Sequence, residues 1–173
     1  MLAFQIKDTR DFMKKLLTGD TFDAFVLSEG QVTTFTTFRV DGSWHPAYFE
    51  DDPLKKEKIA EAGAGETSRL TWSLLRPHIF NLIRGKHTPS SFKFVLKLSQ
   101  KELEHLLEES GQTSMKEQVS GLFLNISYNN GAVTCIRGTS VNVFPYDKSL
   151  DRLWDSYLER FLAKGQMGYE LMA

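Results

Sequence analysis

At 173 residues, with 41% hydrophobic and 25% charged residues, the chain has the ordinary make-up of one globular domain with a real core. Its net charge of −1 argues against a generic polyanion binder. One cysteine, Cys135, excludes an intrachain disulfide and fits a reducing compartment; no apolar run approaches the roughly 20 residues that span a bilayer, and the N-terminus enters a strand without a signal pattern, so a cytoplasmic protein is expected.

In chain order, Leu2, Phe4 and Ile6 alternate with Ala3, Gln5 and Lys7, as in a short strand. Asp8 is placed to cap a helix carrying Phe12, Met13, Leu16 and Leu17 on one stripe, closed by Gly19. Phe22–Ser28 reads as a strand, Glu29-Gly30 as a turn, and Gln31–Val40 as a second strand whose apolar spacing slips, suggesting a bulge. Asp41-Gly42 is a hairpin signal, and Ser43–Phe49 a returning edge strand in which Pro46 is tolerated. The segment 50–67 is charged, then rich in alanine and glycine; it reads as a mobile linker with a short polar helix.

Trp72, Leu75, Ile79, Leu82 and Ile83 mark an amphipathic helix that should kink at Pro77. Phe92, Phe94, Leu96 and Leu98 form the apolar face of a strand, followed by a capping box at Ser99 and Glu102, a Leu103-Leu106-Leu107 stripe and a closing Gly111. A strand over 122–128 leads through Asn129-Asn130-Gly131 into a strand starting near Val133. Gly138 should break that strand before Val141, Val143 and Phe144, with Pro145 ending it. A long helix from Leu150 to Leu162, capped by Asp147 or Ser149, precedes a frayed tail at 165–173, whose Tyr169, Leu171 and Met172 could dock on a partner.

Residues 2–49 and 91–146 share the order strand, helix, strand, turn, strand, turn, strand, and each is followed by a long helix with a tryptophan, Trp72 or Trp154. The expected fold is α+β: an antiparallel sheet from two strand-helix-three-strand units, with two additional amphipathic helices. One domain over 1–173 would be internally duplicated, with halves at 2–87 and 91–164.

The segments MLAFQIKDTRDFMKKLL, TFDAFVLSEGQVTTFTTF, RGKHTPSSFKFVL and VSGLFLNISYNNGAVTCIRGTS resemble an uncharacterised bacterial family, a domain of unknown function found mainly in anaerobic Gram-positive bacteria. That resemblance covers nearly the whole chain and implies no activity. FKFVLKLSQKELEHLLEESG followed by VSGLFLNISYNNGAVTCIRGTSV is similar in pattern to one unit of a DNA polymerase sliding clamp. A clamp's short helices face phosphate and should be basic. Arg10, Lys14 and Lys15 partly satisfy this, but Glu102, Glu104, Glu108 and Glu109 make the helix at 101–109 acidic, which disfavours nucleic acid.

Common catalytic signatures are absent. Cys135 lies mid-strand, unlike an activated thiolate. His45, His78, His87 and His105 lack metal-ligand spacing, and Gly63-Ala64-Gly65 lacks a P-loop continuation. No cofactor, metal or catalytic residue is expected. Two surfaces stand out: a basic cluster of Arg76, Arg84, Lys86, His87, Lys93 and Lys97, suited to an acidic partner or a phosphate group, and a contact edge of Trp44, His45, Tyr48 and Phe49. The leading expectation is a non-enzymatic protein acting by self-association or protein contact, without a membrane. A clamp relative using Arg10, Lys14, Lys15, Arg84 and Lys86, and an enzyme with a site assembled at long range, are the other readings.

Overall fold

The computed structural model describes residues 3–64, 69–142 and 148–172, with Gly63 and Ala64 described by backbone alone. Seven strands form one antiparallel sheet: β1 (Ala3–Ile6), β2 (Phe25–Thr33), β3 (Thr37–Val40), β4 (Ser91–Leu98), β5 (Val119–Asn129), β6 (Ala132–Val141) and β7 (Tyr169–Leu171). Their spatial order is β3-β2-β4-β5-β6-β1-β7. The helices are α1 (Thr9–Leu17), α2 (Pro53–Ile59), α3 (Trp72–Ile83), α4 (Gln100–Glu109) and α5 (Ser149–Lys164).

Alternation makes the sheet two-faced. Phe92, Phe94, Leu96 and Leu98 of β4, Leu122, Leu124 and Ile126 of β5, and Val133 and Cys135 of β6 point to one side and are buried. The inward stripes of α1, α3, α4 and α5 pack on that side and complete a single core. Two indoles pin this layer: Trp72 Nε1 donates to the Leu16 carbonyl at 2.8 Å, and Trp154 Nε1 to the Phe123 carbonyl at 2.9 Å. Arg137 of β6 ties down α5 a second time, pairing with Asp151 at 2.6 Å and Asp155 at 2.8 Å. The reverse face presents rows read across the strands, Glu29-Val95-Asn125-Ile136-Ala3 and Gln31-Lys93-Ser127-Thr134-Gln5. An antiparallel sheet tolerates one solvated face, and Ile136 in its middle is 49% exposed.

The two halves exchange partners. The first strand of each pairs with the hairpin of the other, β1 with β6 and β4 with β2, and a β4–β5 pair joins everything into one sheet. Exchanging the halves maps the β2–β3 hairpin onto β5–β6; it does not map the β4–β5 join onto a pair, because β1 and β2 are not neighbours.

Several boundaries differ from the sequence reading. Glu29-Gly30 is not a turn: β2 runs through it, and the irregularity is a register shift between Leu27 and Glu29 opposite β4. The hairpin turn falls instead at Thr34–Thr36, where β-branched residues carry no turn signature. The 43–49 segment is not an edge strand. Only Ser43 forms an isolated bridge, to Arg69, and Pro46–Phe49 winds into a 3-10 turn opened by the proline. α3 runs continuously through Pro77. Gly138 does not interrupt β6, since it keeps its register with Phe123; the second irregularity lies at Val119/Gly121. The expected linker contains α2, capped by Asp52 through the Lys55 amide. Val143, Phe144, Pro145 and Asp147 lie outside the described residues, as do 65–68; the residue preceding α5 is Lys148, which makes no side-chain cap.

The tail is the largest correction. Tyr169–Leu171 forms β7 against β1, Met172 N donates to the Ala3 carbonyl at 2.9 Å, and Met167 is 4% exposed. A Schellman motif turns the chain back after α5: Gln166 N donates to Ala163 O at 3.1 Å and Met167 N to Leu162 O at 2.9 Å, with Gln166 left-handed at φ 54°.

Candidate functional site

The structure does not gather the expected basic residues into one patch. Arg76 is largely covered and ion-paired to Asp23. Arg84, Lys86 and His87 are exposed in the loop between α3 and β4. Lys93 and Lys97 project from the reverse face of β4, with the sheet between them and α3. The stem of Lys97 and the ring of Phe123 lie over Gly121, which has no side chain to exclude them.

The aromatic quartet does come together, on an arm rather than on an edge. Trp44 and Phe49 are 6.1 Å apart between ring centroids, Tyr48 and Phe49 4.9 Å, and the Lys55 ammonium sits 5.0 Å over Phe49. Neither the 3-10 turn nor α2 buries a single residue. Tyr48 is 79% and Leu54 80% exposed. His45 is exposed beside them.

A cleft of about 640 Å³ opens on the helical side, between α4, α5 and the turn preceding β2. The sequence reading missed it, because its aromatic residues belong to a stripe that looks like core. Tyr157, Arg160, Phe161 and Lys164 line it from one face of α5, at helical spacing i, i+3, i+4, i+7. Glu102 and Glu109 line it from α4, and Asp20 and Thr21 from the turn. Phe161 is wedged edge-on against Phe22 and Phe25, at 5.2 and 5.7 Å between centroids. Tyr157 stacks on Trp154 at 5.1 Å. Burial, reinforced by Glu102, pushes the Tyr157 phenol up to about 12, so it keeps its proton at neutral pH and can donate. The signal that could have found the cleft is the Arg160/Lys164 pair flanking the Tyr157/Phe161 stripe, but only the tertiary fold sets it opposite Glu102.

Cys135 is fully enclosed, and burial pushes its thiol far above the ordinary range, which is the reverse of an activated nucleophile. Among the described residues no three of His, Cys, Asp and Glu come close enough to hold a metal ion. No described helix is long and apolar enough to cross a membrane. On α4, His105 pairs with Glu109 at 3.1 Å and Glu104 with Lys116 at 3.1 Å; on α1, Lys15 is held by Asp11 at 2.6 Å.

Fold and surface together define an α+β protein with a single helix-covered sheet, a projecting aromatic arm and a charged cleft. A family model matches residues 15–170, and the chain belongs to that family, the family of unknown function DUF5721. No curated protein and no solved structure matches the chain.

Proposed function

We propose that the protein is a non-enzymatic binding protein that recognises a protein partner through the arm spanning Trp44 to Ile59. The observation that supports this is the combination of aromatic content and lack of burial. A helix of seven residues is too short to be stable alone and normally draws its stability from packing. α2 carries Leu54 outward and fully buries no residue, so this exposed leucine, close in sequence to Tyr48 and Phe49, awaits a counterpart. Tyr48 adds a ring with a polar tip, the type of side chain enriched at interfaces. The exposed loop of Arg84, Lys86 and His87 is a second contact, for an acidic group on the same partner. A lone cysteine supports a cytoplasmic setting.

The test compares wild type with a Tyr48→Ser, Leu54→Ser double variant in affinity capture from host extract and in sedimentation. Both positions are solvent-exposed, so unfolding stability should change by no more than about 0.5 kcal/mol. The variant should lose the captured partner, or lose self-association if the partner is a second copy. If wild type is monomeric and both proteins capture the same set, the proposal fails.

A further inference from the structure

We propose that the cleft between α4 and α5 binds a small zwitterion bearing a flat ring, with its anionic group held by Arg160 and Lys164 and its amine by Glu102. The cleft shares no residue with the arm, so this site stands or falls separately from the arm reading.

Arg160 and Lys164 are four residues apart on α5, so they are neighbours on one helix face and can share one anion. Beside them in the helical stripe, the rings of Tyr157 and Phe161 lie nearly parallel, 13° apart with centroids at 6.3 Å, and give the cleft an aromatic floor. On the opposite wall Glu102 and Glu109 are separated by two turns of α4, about 10 Å. Glu109 already holds His105, whereas Glu102 has no cationic partner among the described residues. Lys164 likewise forms no ion pair there, and Arg160 uses only its Nε, on the Ser156 carbonyl at 3.3 Å.

Opposite charges thus line one cleft without neutralising each other. A ligand bringing its own anion and cation satisfies both walls. A polyanion meets Asp20, Glu102 and Glu109; a simple cation meets Arg160 and Lys164. The Tyr157 hydroxyl and the Thr21 hydroxyl supply the neutral hydrogen bonds that orient such a ligand. A volume of about 640 Å³ lies in the range of small-molecule pockets and accommodates an amino-acid-sized body with a ring on the floor.

Three probes separate the charges: L-phenylalanine, phenylpropionate, which lacks the amine, and phenethylamine, which lacks the carboxylate. Amide NMR should show phenylalanine shifting signals within 100–109 and 157–165, and calorimetry should find it binding about tenfold tighter than either analogue, the loss expected for one charge-assisted contact. Arg160→Ala should weaken phenylalanine and phenylpropionate about tenfold and leave phenethylamine unchanged. Glu102→Gln should weaken phenylalanine and phenethylamine and leave phenylpropionate unchanged. Arg160 is exposed and Glu102 only half-buried, so both variants should unfold at the wild-type midpoint. The proposal is overturned if phenylalanine shifts no cleft amide, if phenylpropionate binds as tightly as phenylalanine, or if neither variant alters the affinities.

Discussion

Two glycines with left-handed backbones separate conformational strain from collision. Gly131, at φ 79°, follows Asn130 at φ 51° in the β5–β6 turn and faces open space. Gly42, at φ 74°, is buried, and a Cβ there would run into the Leu27 carbonyl oxygen. An alanine at Gly131 should therefore cost only the left-handed penalty, about 1 kcal/mol. At Gly42 it must also displace β2 backbone, and about 3 kcal/mol or more is expected from chemical denaturation. Equal losses at the two sites would show that β2 yields freely at its register shift. Tyr157 makes a prediction of different form. Its phenol titrates near 12 in the folded protein against an ordinary value of 10.0. Between those values the unfolded chain binds fewer protons than the native one, so stability falls as pH rises through that window. Tyr157→Phe should remove this part of the alkaline loss, read from urea midpoints across the same pH range; an unchanged slope would refute it. The Cys135 thiol, also raised by burial from an ordinary value of 9.0, contributes with the same sign from below this window and throughout it, so the Tyr157→Phe comparison reads the difference in slope.

At the scale of elements, the helix ends show what a sequence discloses. α4 and α5 both finish in a Schellman motif. The first places Gly111 at φ 71°, with Gln112 N donating to Leu107 O at 2.8 Å, and glycine announces it. The second places Gln166 in the same conformation, one residue beyond the glycine that looks like the terminator. Residues 165–172 thus read as a tail although they turn back and pair with β1. Met167 carries the consequence. It is buried next to Leu162, the carbonyl partner of its own amide, so Met167→Ala should cost about 3 kcal/mol and uncouple β7 from β1. A loss under about 1 kcal/mol, with unchanged amide protection in β1, would mean that β7 adds nothing. The order β4–α4–β5–β6 was legible, because its periodicity, Ser99 cap and Asn-Gly turn agree; the start of β5 at Val119 and the passage of β6 through Gly138 were not, and the Ser99 amide donates to Ala24 O instead of completing a capping box with Glu102. The β2–β3 turn was not, because Thr34, Phe35 and Thr36 favour strand and the pairing register alone bends the chain there.

For the molecule as a whole, local pattern carried the fold class, and long-range pairing carried the rest. Nothing in β1 or β4 states which neighbour it will choose, so the exchange of strands between halves was invisible. The cleft was hidden for the same reason: Tyr157 and Phe161 repeat like core residues, and only the placement of α4 leaves them half open. The place of β1 between β6 and β7 also has a temporal side. Ala3 and Phe4 pair with Ile136 and Cys135, so β1 has no partner in β6 until residues 132–141 have been made. At ribosomal speeds that is a wait on the order of ten seconds. Meanwhile β2, β3 and β4 can assemble in the order in which they emerge. The nascent chain is therefore expected to hold β1 free beside a partly built sheet, and to need shielding at Phe4 and Ile6 until β6 arrives.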